Sequence, residues 1–216
     1  LSVFQFFSFS VFPCPHDWGQ KKTLSNQTSK INIRHSEIKR IAHRMKQDPF
    51  TYWLGKLANL NASKSGGRGI APHKPLMMFS LMDLIELGEL SDRWVSYDAQ
   101  LVTRFRDYWD LVIHRRKNAP EITMPFNALG GHRDAIWERF DEHGNPSKSK
   151  LTTRRCLLDA DLFACLLDAD FRYQARRILV ATYFPPIEQV GLCTRMQLPL
   201  PNTAEMEDFA KDRVAF

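Results

Sequence analysis

The sequence predicts a mainly α, compact helical domain with a small two-stranded β element, and three observations carry that expectation. Apolar residues recur at helical spacing in several separate stretches. Start and stop residues stand where those stretches begin and end: Asp48-Pro49, Pro75 and Asp98 at the openings, Gly88 and Phe184-Pro-Pro186 at the closings. Only two short stretches, Pro120 to Leu129 and Ala135 to Phe140, read as extended. At 216 residues, with a hydrophobic fraction of 44% and 15 Phe, the chain is long enough to bury one good core or two small ones.

Residues 1 to 13 are apolar but shorter than the roughly 20 residues that cross a bilayer as a helix, and they lack the pattern of a signal peptide. They read as a strand, a weak anchor or sequence upstream of the true start. With the polar residues after them they form an expected extension, 1–30, ahead of a core domain at 31–192 and a C-terminal linker at 193–216. Ser36 to Lys46 reads as a basic, solvated helix. Asp48 as N-cap and Pro49 at the first helical position open a helix with the stripe Phe50, Trp53, Leu54, Leu57 and Leu60. A loop rich in Gly, Ser and Lys leads to Arg68-Gly-Ile-Ala-Pro-His-Lys-Pro75. Behind it a helix with Pro75 at its first position, apolar on nearly every side, runs from Leu76 to Leu87 and is therefore expected to be buried. Arg68, His73 and Lys74 then gather at a helix N-terminus, where free N–H groups and the dipole favour anions; solvated basic residues on a glycine-rich loop are the plainer reading.

Ser91 to Tyr97 reads as a connection, and Asp98 caps a helix through about Ile113 with Leu101, Phe105, Tyr108, Trp109 and Val112 inward. The basic cluster His114-Arg-Arg-Lys117 suits that helix's C-terminal dipole or a phosphate. In Pro120 to Leu129, alternation of Ile122, Met124 and Phe126 predicts a strand, with Pro125 placing it at an edge or loop mouth. A turn at His143-Gly-Asn-Pro146 and a mobile basic run, Ser147 to Lys150, follow. Leu157 to Ala169 and Asp170 to Tyr183 read as two further helices, with Arg172, Arg176 and Arg177 on or near the outer side of the second. The Pro-rich remainder shows no core pattern until its last residues.

The net charge of +6 and pI near 9.2 favour an anionic partner such as nucleic acid. Cys14, Cys156, Cys165 and Cys193 form no C-x-x-C pair, which argues against a zinc knuckle and fits a reducing cytoplasm; Cys165 reads as a core residue. The sequence carries no catalytic signature: no H-x-x-x-H or H-E-x-x-H frame, no phosphate-binding Walker loop and no G-x-S-x-G elbow occurs. No catalytic site, metal site or cofactor is therefore assigned.

Four segments together carry a resemblance. They are Arg68-Gly-Ile-Ala-Pro-His-Lys-Pro75 with its helix, Phe105-Arg-Asp-Tyr-Trp109, Pro120-Glu-Ile-Thr-Met-Pro-Phe-Asn-Ala-Leu129, and Arg176-Arg-Ile-Leu-Val-Ala-Thr-Tyr-Phe-Pro185. In order and spacing they resemble the sulfur-binding domain of HNH-type restriction endonucleases that attack phosphorothioate-modified DNA, over roughly residues 48 to 190. The resemblance implies a mainly helical domain that binds duplex DNA carrying sulfur in place of a non-bridging phosphate oxygen. It implies a pocket made of a His-basic-Pro element, here His73, Lys74 and Pro75, and a Pro-x-x-Ala element, here Pro125 and Ala128. Met124 stands where the family often has an aromatic residue, and Lys74 where some members have Arg, which exchanges a planar fork for a point charge. Arg68 would share in neutralising the phosphate, while His132, Arg133, Lys148 and Lys150 would reach neighbouring phosphates or base edges. A nuclease domain usually follows in the family, and no HNH motif is present here. The expected partner is thus phosphorothioate-modified double-stranded DNA, with no membrane. Two rival readings are a complete small metal-dependent nuclease and a general basic nucleic-acid-binding domain.

Overall fold

Asp48 opens the first helix as its sequence announces. Its carboxylate accepts the Thr51 backbone N–H at 3.2 Å, Pro49 needs no N–H partner at the first position, and α1 runs Pro49–Ala58. The structure is a computed structural model that describes residues 48–65, 69–112 and 121–202. The expectations for 1–30, for the basic helix at 36–46, for Arg68 and for the cluster at 114–117 lie outside these residues, as do the chain beyond 202 and Cys14.

After α1, the short strands β1 (Lys64–Ser65) and β2 (Gly69–Ile70) pair antiparallel, and Gly69 takes a φ of 68° that a side chain would resist. Helix α2, His73–Glu86, follows. It starts two residues earlier than the sequence suggests, so Pro75 is its third residue, still within the turn whose N–H groups have no intrahelical acceptor. Eleven of its fourteen residues are buried, as the apolar girth requires, and Gly88 ends it with a φ of 72°. The stretch read as a connection contains strand β3, Trp94–Ser96. Asp98 then caps α3, Ala99–Asp110, accepting Leu101 N–H at 3.0 Å; Leu101, Phe105, Tyr108, Trp109 and Val112 all face the core.

The next segment corrects the sequence reading. Thr123–Ala128 is a helix, α4, and not a strand. The alternation of Ile122, Met124 and Phe126 coexists with the helical set Ile122, Pro125, Phe126 and Leu129, and it is the latter that is buried while Met124 is exposed. Pro125 sits in the first turn, where it removes no helical bond. The expected second strand is present as β4, Trp137–Phe140, but its partner is β5, Arg155–Leu158, whose last two residues, Leu157 and Leu158, the sequence places at the start of a helix. Cys156 and Leu158 turn inward with period two, and the helix α5, Ala160–Leu167, begins only after Asp159. The sheet therefore has three antiparallel strands in the order β3-β5-β4, with register Val95↔Cys156↔Arg139. Cys165 is half-buried and packs against the margin of the core.

Helix α6, Ala169–Tyr183, buries Phe171, Ala175, Ile178 and Leu179 as predicted. Arg172 and Arg176 are buried too, contrary to their expected outer placement. Arg172 donates to the carbonyls of Leu166 and Leu167 at 2.8 and 2.9 Å, closing the open end of α5. Phe184-Pro-Pro186 stops α6 and at once starts α7, Pro186–Met196, a helix that the sequence reading missed. Its Leu192 and Cys193 join the core.

Helix α2 is the centre of the molecule, packed by α3, α4, α5 and α6, and one hydrophobic cluster runs from Trp53 and Leu57 through Phe79, Phe105 and Phe126 to Phe171 and Leu192. Tyr183 ties α6 to the end of α1. Its buried hydroxyl accepts the Leu60 N–H at 2.7 Å and points its proton at the carbonyls of Leu57 and Ala58, at 3.0 and 2.9 Å. Tyr183→Phe orphans these groups and should cost about 1–3 kcal/mol in urea denaturation; a loss under about 0.5 kcal/mol would show that water takes over the hydroxyl's role.

Candidate nucleic-acid interface

The two elements expected to form a pocket belong to packed helices. His73, Lys74 and Pro75 make the first turn of α2; Pro125 and Ala128 lie on α4, which packs against α2. Pro75 and Pro125 are buried, Ala128 is half-buried, and Met124 is 40% exposed beside them in sequence. The helix end itself has no side-chain cap, because Pro72 occupies the N-cap position.

The basic residues are not equivalent. His73 is buried, with its ring 4.8 Å from that of Trp109 at a tilt of 52°, so much of it is a core contact. Lys74 is held from two sides: its ammonium donates to the Asn61 carbonyl at 2.7 Å and forms a short ion pair with Asp134. Asp134 is itself buried and also accepts the Asn61 N–H at 2.8 Å. Arg133 reaches the Asn61 side chain at 3.4 Å and remains exposed. One loop, residues 129–136, therefore returns from α4 to α2 and clamps Lys74 in place. Nothing in the sequence signalled the roles of Asn61 and Asp134; both are ordinary loop residues, 13 and 60 positions from Lys74.

His132 is exposed and lines a neighbouring cleft that does not include His73, Lys74, Pro125 or Ala128. Lys148 and Lys150 are exposed. Their loop is more tightly built than its composition suggests. The Ser147 hydroxyl is buried, lies 2.8 Å from the Thr152 hydroxyl, donates to the Ser149 carbonyl at 3.1 Å and accepts from Thr153 at 3.0 Å. Asp141 shapes the preceding turn by accepting the N–H groups of His143 and Asn145, and Gly144 supplies the positive φ.

The thiols of Cys156, Cys165 and Cys193 are all pushed up by burial, the reverse of an activated nucleophile. Among the described residues no group of three His, Cys, Asp or Glu is placed to hold a metal ion, and no helix is long and apolar enough to cross a membrane. Comparison with known proteins finds no family model and no curated protein that matches the chain.

Proposed function

We propose that this chain binds phosphorothioate-modified double-stranded DNA and serves as the recognition module of a modification-dependent HNH restriction endonuclease in the reducing cytoplasm. The observation that supports this most directly is the packing of α4 on α2, which puts Pro125-x-x-Ala128 and His73-Lys74-Pro75 on one helix pair. The half-buried Ala128 methyl and the exposed Met124 thioether, on the helix that carries the buried Pro125, offer sulfur a polarisable, weakly hydrated surface. A normal phosphate oxygen on the same surface would lose water without a hydrogen bond, a penalty on the order of 1–3 kcal/mol. The Lys74–Asp134 pair strengthens this reading. A half-neutralised cation does not pull every phosphate in by charge alone, so the apolar contact decides between sulfur and oxygen. Exposed Arg133, Lys148 and Lys150 would add backbone contacts that set register and steepen the salt dependence.

Gel-shift titration at physiological salt of a duplex with one defined phosphorothioate stereoisomer, against its unmodified twin and over several core sequences, tests the proposal. Preference for sulfur of tenfold or more, about 1.4 kcal/mol, is expected. Equal binding across the set would reduce the chain to a basic nucleic-acid-binding surface. Ala128→Asp should abolish the preference, because a carboxylate would fill the pocket and repel phosphate. A folded variant that keeps the preference would move the pocket elsewhere.

A further inference from the structure

We propose that the cleft between α1 and the edge of β4 is a nucleotide-binding site, taking a nucleobase together with its phosphate. The cleft has a volume of about 520 Å³, in the range of small-ligand sites. Tyr52, Trp53 and Trp137, all buried, stand in its lining with Gly130 and Gly131; Lys56, Arg93 and Arg139 supply positive charge, beside the carboxylates of Glu138 and Asp159.

Two observations define the chemistry and the shape of the cleft. Arg139 lies opposite Cys156 in the sheet, on the face that carries the buried residues, yet among the described residues its guanidinium has no hydrogen-bond or ion-pair partner. Arg93 commits its Nε–H to the Leu158 carbonyl at 2.8 Å, which leaves its two terminal nitrogens without an acceptor among the described residues. Two half-buried guanidiniums thus line one cleft with donors to spare, and a phosphate suits their forked geometry. The second observation is Gly130. A Cβ there would lie 2.9 and 3.0 Å from Arg139 Cγ and Cδ and 3.1 Å from Trp137 Cδ1. Its φ is not positive, so the glycine serves space rather than a turn: the arginine stem and the indole edge occupy the volume a side chain would take.

A bare phosphate would fill little of the cleft. The remaining volume admits a planar ring beside these aromatic walls, and exposed Glu138 offers an acceptor to an amino group or a sugar hydroxyl. The site uses none of His73, Lys74, Pro125 or Ala128, so it stands or falls apart from sulfur recognition. A free mononucleotide and a nucleotide within a strand share this chemistry.

The test is titration of the full chain, followed by tryptophan fluorescence and calorimetry, with the four deoxynucleoside 5′-monophosphates, inorganic phosphate and an unmodified single-stranded oligonucleotide. At least one mononucleotide should bind saturably with Kd below about 1 mM, and phosphate at least about tenfold more weakly. Arg139→Gln, which breaks no internal bond, should weaken the mononucleotide about tenfold or more, and Gly130→Ala should do the same by displacing that arginine, while Arg106→Gln, on the exposed side of α3 and outside the cleft, leaves binding unchanged. An oligonucleotide that binds more tightly than the mononucleotide makes a strand the natural occupant; equal affinities make it a free nucleotide. The proposal is overturned if no mononucleotide binds up to about 5 mM, if phosphate binds as well as they do, or if binding survives Arg139→Gln undiminished.

Discussion

Replacing Arg176 with methionine should lower the stability of the domain by about 3 kcal/mol, the scale on which a buried ion pair fails when one partner is removed. Arg176 projects from α6 to α2, where its guanidinium meets Asp83 at 2.9 Å and Glu86 at 2.6 Å. Asp83 also accepts the Tyr108 hydroxyl from α3 at 2.8 and 2.9 Å, and Arg195 of α7 approaches it at 3.8 Å while its guanidinium carbon lies 4.8 Å from the Tyr108 ring centre. Four helices thus meet at one carboxylate. With Arg176 gone, Asp83 keeps Tyr108 and Arg195, which holds the loss below the upper end of the range. For a domain of this size, about 3 kcal/mol corresponds to a fall of roughly 6–12 °C in melting temperature. Adding Asp83→Asn to Arg176→Met should recover part of the loss, because the stranded charge is then removed. A change within about 0.5 kcal/mol for Arg176→Met alone would mean that the cluster is electrostatically idle.

The same cluster has a pH signature at both ends. The hydrogen bond from Arg176 holds the Glu86 carboxyl below its ordinary value of 4.5. Its contribution is therefore present above that value and is lost as pH falls through the lower folded-state pKa. Burial, followed by the neighbouring Asp83 charge, raises the Tyr108 phenol above its ordinary 10.0. That contribution is complete below 10.0 and is lost as pH rises beyond it toward the folded-state pKa. Urea midpoints measured against pH should show a shallower acid limb in Glu86→Gln and a shallower alkaline limb in Tyr108→Phe. Limbs identical to those of the parent chain would assign them to other groups.

Asp134→Ala should cost a comparable amount, about 3 kcal/mol, and it bears on the candidate interface as well. The substitution strands the Lys74 ammonium on the Asn61 carbonyl alone and orphans the Asn61 N–H. Asp134→Asn separates fold from function. It keeps an acceptor in the loop, should cost less, and leaves Lys74 with its full charge. Affinity for ordinary and modified duplex should then rise by up to about fivefold, while the ratio between them narrows, as one extra charge near a phosphate is worth about 1 kcal/mol or less in high dielectric. A folded Asp134→Asn protein with weaker DNA binding would show that the ion pair positions Lys74 and does not restrain it.

The helical framework was legible because each signal is local. Asp48, Asp98, Gly88 and the Phe184-Pro-Pro stop act through the backbone within a few residues, and the all-round apolar helix behind Pro75 has nowhere to go but the core. The misread elements are those where two local patterns compete. Residues 122–129 satisfy both a two-residue and a helical period, and the packing of Phe126 against Trp137 and Tyr97, with the Trp137 indole N–H on the Phe126 carbonyl, selects the helix. Residues 155–158 carry an apolar run short enough for a strand or a helix, and pairing with both β3 and β4 made it the central strand.

By itself, then, the sequence determined that this chain is mainly helical, where most of its helices begin and end, and which residue types gather before α2. Tertiary structure alone decided the charges. Arg172 and Arg176 look solvent-facing on a helical wheel and are buried because carbonyls and carboxylates from other elements wait for them; Lys74 looks like a free cation and is half-neutralised by Asp134, 60 residues away. Apolar periodicity is a property of neighbours along the chain, whereas the partner of a buried charge is a property of the packed whole.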